Sequence, residues 1–137
     1  MMSFQQKKTK RNPRKTLENK LDKLCSEYIK LRDKHQCQYG GAKCDGNQMQ
    51  WSHVIPRTAG KRLRWNPQNS KCLCAYHHKL WWHSNVIEAT NWFRGKFPDR
   101  YQFIMQEKYK GSKSFSISEL EGMVTWFKKE IKKLKTA

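Results

Sequence analysis

Acid is what this chain has least of. Only 11 Asp and Glu stand against 29 Lys and Arg, a formal net charge of +18. That excess goes far beyond what solubility needs and points to a polyanionic partner, nucleic acid ahead of other acidic molecules. The chain also lacks any apolar run long enough to span a bilayer. Its basic opening, MMSFQQKKTKRNPRK, has no apolar segment of the secretory kind. No basic helix with a wide lipid-facing side stands out, so no membrane partner is expected and the chain reads as soluble and cytoplasmic. An even set of cysteines is missing too: Cys25, Cys37, Cys44, Cys72 and Cys74 would leave one unpaired. That argues against a disulfide framework and, in a reducing compartment, for cysteines that ligate metal together with histidines. With 36% hydrophobic residues in 137, the expectation is one domain whose modest core needs a staple. Internal repeats are absent.

Six basic residues and no acid in residues 1–15 predict a disordered tail that touches phosphate backbone. From Thr16, a plausible N-cap, the apolar residues Leu17, Leu21, Leu24, Tyr28 and Leu31 recur at helical spacing, which predicts a helix over 16–34 with Cys25 as a packing residue. Residues 36–68 are broken by glycines and Asn-Pro; MQWSHVI reads as a short strand and a second is expected near 70–74, with an arginine-rich loop between them. A helix is expected from Ala75. Another starts near Asn85, with Glu88 in the capping-box position, and stops at Pro98, which opens a short helix to about Tyr109. After a turn at 111–116, Ile117, Leu120, Val124, Phe127, Ile131 and Leu134 form the clearest amphipathic helix, capped by Ser116 and Glu119. Its stripe is expected in the core, with a homodimer seam as the second reading. The layout is α+β: an N-terminal helix, a small core over 36–84 and a helical part over 85–137.

The stretch NSKCLCAYHHKLWWH, residues 69–83, concentrates the metal-capable side chains. Cys74 and His77 have the C-x2-H spacing of a tight knuckle, and Cys37 and Cys44 enclose the glycine-containing loop QYGGAK. Together they would make a tetrahedral structural zinc site tying the first helix to the strands. Cys72 is a competing sulfur, and His53, His78 and His83 are left over. The six tryptophans are expected mostly buried, with Trp81 and Trp82 the candidates for stacking on unpaired bases.

His53, Asn69 and His78 follow one another in the order and spacing of the HNH endonuclease motif, and over residues 37–83 the chain resembles that family. SHVIPRTAGKRLRWNPQN, followed by a cysteine-rich turn, is similar to the phage recombination nucleases related to lambda NinG (Rap). The resemblance implies a ββα-metal core: two strands carrying His53 and Asn69, then a helix presenting His78. It sets Cys37, Cys44, Cys74 and His77 as zinc ligands and leaves Cys72 outside. It also implies hydrolysis of DNA phosphodiesters, on branched or single-strand-containing DNA in recombination or repair. His53 would be the general base, Asn69 would hold the loop between the strands, and His78 would hold a catalytic Mg²⁺ or Mn²⁺. Arg57, Lys61, Arg62 and Arg64 lie where bound phosphates would run.

Three departures stand out. Ser52 occupies the position of a metal-binding acid or histidine, so Asp45 or His83 would have to supply the second ligand. His77 replaces a cysteine, and the first knuckle is wide. The alternatives are a zinc-stabilised nucleic-acid-binding protein without catalysis, which does not need that histidine spacing, and a sequence-specific homing or packaging nuclease, for which no helix-turn-helix or finger array is evident.

Overall fold

The computed structural model describes residues 12–137. Residues 1–11 of the expected basic tail lie outside the described residues, and the rest of it is helical. Helix α1 spans Pro13–Arg32, not 16–34. Asn12 is the true N-cap: its side chain accepts from the Arg14 N–H, and Pro13 occupies the first turn, where a missing N–H costs nothing. Thr16 instead donates its hydroxyl to the Asn12 carbonyl. The helix ends at Asp33, ahead of Lys34 and His35, which both take positive φ (58° and 53°) and turn the chain sharply.

The expected strands are present as β1 (Met49–His53) and β2 (Ser70–Cys74), one antiparallel pair in which Met49 faces Cys74 and His53 faces Ser70. Helix α2 (Val86–Lys96), helix α3 (Pro98–Lys108) and helix α4 (Ile117–Thr136) follow. The Ser116–Glu119 capping box of α4 forms in both directions. The box expected at Asn85 does not: φ −126° and ψ 54° carry its side chain away from the helix, which starts without a side-chain cap.

The sheet divides the core. On one side Cys72 and Trp65 pack with Leu21, Cys25 and Ile29 of α1 and with Leu120, Val124, Phe127 and Ile131 of α4. The α4 stripe is therefore core, with Ile117 and Leu134 at its partly exposed ends. On the other side Leu73 packs with Trp81, Trp82, Ala89, Phe93 and Ile104. Asp33 ties α1 to the sheet: it accepts from the Cys72 N–H at 2.8 Å, while Arg32 holds Asp33 at 2.9 Å and the carbonyls of Pro67 and Ser70. Among the described residues no helix is long and apolar enough to cross a membrane.

The segment from Ala75 is not an α-helix. Tyr76–Trp82 winds as a π helix, whose i→i+5 bonding puts an extra residue in each turn. That winding decides where its histidines go.

Candidate metal centre and histidine site

Cys37, Cys44, Cys74 and His77 come together, each offering one ligand atom within 4.8 Å of the others. The His77 Nδ1 lies 3.5, 3.4 and 3.1 Å from the sulfurs of Cys37, Cys44 and Cys74. A tetrahedral ion with Zn–S of about 2.3 Å and Zn–N of about 2.0 Å spans an N···S edge of about 3.5 Å, so the donor set fits zinc. Burial pushes the Cys37 thiol up, but N–H groups of Cys74, Gly40 and Tyr39 aimed at its sulfur bring it below the ordinary value. Such N–H···S bonds are the support a metal-bound thiolate needs. Tyr39 and Trp81 shield the His77 ring, with centroids at 4.6 and 5.7 Å. Cys72, the competing sulfur, is fully buried in the α1–α4 core, where burial pushes its thiol up to about 11. Asp45 is exposed and stands outside this cluster.

Asn69 is fully buried. Its Oδ1 accepts from the Ile55 N–H at 2.8 Å, and its Nδ2 donates to the carbonyls of Ile55 and Leu63 at 2.9 and 3.1 Å. Its own carbonyl takes the Val54 N–H at 2.8 Å. One side chain thus pins both ends of the 54–63 loop to the start of β2. His53, at the end of β1, stacks on Trp51 (centroids 4.1 Å) and sets its Nε2 2.9 Å from the Arg64 carbonyl. A carbonyl can only accept, so Nε2 carries the proton and Nδ1 keeps a free lone pair. Burial brings the pKa of His53 down to about 4; the Arg64 carbonyl opposes this, and the charges of Lys71 and Arg57 add to it.

His78 lies on the other face of the ribbon. Its Nδ1 meets the Gln50 Oε1 at 2.8 Å, which leaves Nε2 free. The π helix brings His83, five residues on, back beside it with ring centroids 5.0 Å apart. Burial, then the charges of His83, Lys71 and Lys79, lower the pKa of His78 to about 4. His53 and His78 do not touch, because strand alternation sends His53 to the Trp51 side and Gln50 to the π-helix side. The His78–His83 pair offers imidazoles and no carboxylate, a donor set unsuited to Mg²⁺. It favours Mn²⁺ over Mg²⁺ and a later divalent transition metal over both.

Ser52 is fully buried and its Oγ has no hydrogen-bond partner among the described residues. Ser52→Ala is expected to leave stability unchanged or raise it by about 1 kcal/mol, since an unpaired buried hydroxyl is lost. A urea melt measures this, and a fall in metal-dependent activity in that variant would make Ser52 a ligand instead.

Opposite Ser52 is Lys71, fully buried, with Nζ 3.1 Å from the His53 carbonyl and 3.0 Å from the centre of the Trp82 ring. With no carboxylate beside it, burial lowers its pKa well below the lysine value. The unfolded chain then binds more protons, so this group makes stability rise with pH from its lowered folded pKa toward about 10.4. Lys71→Met is expected to stay within about 1.5 kcal/mol of wild type at pH 7 and to lose that pH slope, as paired urea melts at pH 7 and 9.5 would show.

The loop cations are largely engaged. Arg64 holds Asp22 at 2.6 Å, Lys61 holds Glu18 at 2.8 Å, and Arg62 donates to the Gly111 carbonyl at 2.7 Å. Arg57 makes only a 3.5 Å contact with Asp22, and its side chain is 54% exposed. Trp65, Trp81 and Trp82 are buried and Trp126 is exposed. A groove of about 580 Å³ between Trp65, Phe115, Met123 and Trp126 contains none of these histidines or cysteines. Sequence reasoning missed Gln50, Lys71 and the Arg64 carbonyl; strand alternation placed Gln50 and Lys71 on one face, which was the signal available for them. Compared with protein-family models, curated proteins and solved structures, the chain matches none of them.

Proposed function

We propose that this protein is a zinc-stapled DNA endonuclease of the HNH, ββα-metal kind. The observation that carries the reading is the joint state of His53 and Asn69: one imidazole with a fixed tautomer and a free lone pair, on a loop end locked by one buried amide. A neutral imidazole so held can take a proton from a water attacking a phosphodiester. The Arg64 carbonyl, which accepts from Nε2, stabilises the imidazolium that results. Asn69 keeps the loop, and so the Arg64–His53 pair, in place. Arg57, beside His53 and free toward solvent, is suited to bind the phosphate. His78 and His83, on the opposite face from His53, would hold a divalent cation, which when bound would supply positive charge to a phosphodiester lying across the edge of the ribbon between the two faces. The net charge of +18 supports a DNA partner.

The test is incubation of the purified protein at low salt with linear duplex, single-stranded, flap and four-way-junction DNA, in Mn²⁺, Mg²⁺ or EDTA. Internal scission is expected in Mn²⁺, weaker in Mg²⁺ and absent in EDTA, with branched DNA preferred. Tight binding without scission in any cation would leave a zinc-stabilised DNA-binding protein in its place.

A further inference from the structure

We propose that the exposed face of α1 is a track for the phosphate backbone of duplex DNA, leading to the His53 edge of the sheet. Each acid of α1 is already ion-paired. Glu18 is held by Lys61 at 2.8 Å, Asp22 by Arg64 at 2.6 Å and the Trp65 Nε1 at 2.9 Å, and Glu27 by Lys135 at 2.9 Å. Lys15, Lys20, Lys23, Lys30 and Lys128 have no carboxylate partner among the described residues.

The geometry gives the track a direction. Lys15, Asn19 and Lys23 line one shallow hollow on α1. They follow at four-residue intervals, about 6 Å of helix rise each, which suits successive phosphates on one strand. Lys23 also lines the next hollow, with Lys30, Arg57 and Trp51 and with the ion-paired Asp22 and Glu27, and the Trp51 ring lies 4.1 Å from that of His53. The two hollows therefore run end to end from the start of α1 to the candidate base. Only the significance of that end point rests on the nuclease reading.

The test is fluorescence anisotropy of a short labelled duplex against salt concentration. It compares wild type with Lys15→Gln/Lys20→Gln/Lys23→Gln and with a control of equal net charge, Lys108→Gln/Lys110→Gln/Lys113→Gln. Each phosphate contact adds about 0.9 to the slope of log affinity against log salt. The track variant is expected to lose about 2 to 3 from that slope and at least about tenfold more affinity than the control, with its helicity retained. Equal losses in both variants would overturn the track, as would a wild type that does not bind duplex. Scission measured on the same samples separates the two ideas. Track-dependent binding without cutting keeps the track and removes the nuclease, whereas cutting with an unchanged slope does the reverse.

Discussion

Cys74→Ser is expected to abolish zinc binding by the Cys37–Cys44–Cys74–His77 cluster and, with it, to cost on the order of 4 kcal/mol or more of stability. Cys74 is fully buried at the end of β2, where its sulfur lies 3.1 Å from the His77 Nδ1 and accepts the His77 N–H at 3.4 Å. It is the one ligand on the sheet, while Cys37 and Cys44 lie on the loop after α1 and His77 opens the π helix. A metal held there would tie the loop after α1 to the end of β2 and the start of the π helix. The loop's other anchors are backbone contacts such as the Gln38 N–H to the Cys72 carbonyl at 2.9 Å. A serine hydroxyl is a poor zinc ligand and adds an unpaired polar group to a buried site. Metal analysis with a thermal melt is expected to show zinc near zero and a melting point lower by about 10 °C or more. Cys72→Ser, which touches the core and not the cluster, is expected to lose stability while keeping its zinc. The opposite pattern would move the site to Cys72.

His53→Ala is expected to lower cleavage by about 10²–10⁴-fold, the usual contribution of a positioned acid or base, with zinc content and duplex affinity unchanged. His53 is only partly buried, and its ring leans on Trp51 at the open end of β1 rather than filling the core. Truncation therefore removes the lone pair without emptying a core site. The Arg64 carbonyl loses its donor, a cost of about 1 kcal/mol. Single-turnover scission beside circular dichroism checks both halves, and a variant that fails to fold would make His53 a packing residue.

The elements with strong local signals were readable from the sequence. The α4 stripe, its Ser116–Glu119 cap and the two strands lie where period and turn chemistry put them. The four candidate metal ligands also come together, Cys74 and His77 because tight spacing brings them together whatever the rest of the chain does. Long-range pairing was not readable. Arg64 and Lys61 look like free phosphate ligands in a basic loop until α1 brings Asp22 and Glu18 against them. Lys71 looks like one more surface lysine, although β2 carries it into the core. His83, a candidate second ligand, falls five residues after His78, a misfit on an α-helix but a neighbour on a π helix. The start of α1 was misplaced because Thr16 is a good capping type, yet Asn12-Pro13 makes the better start.

The account turns on His53 acting as a neutral base, and the pH dependence of kcat/KM tests that most directly, because it reports the free protein's ionisations. A histidine brought down to about 4 stays neutral through pH 5.5, so wild-type kcat/KM is expected to hold level from pH 8 to 5.5. An ordinary histidine would lose roughly tenfold over that range. A fall centred near pH 6.5, or a profile whose rates His53→Ala reproduces, would contradict it.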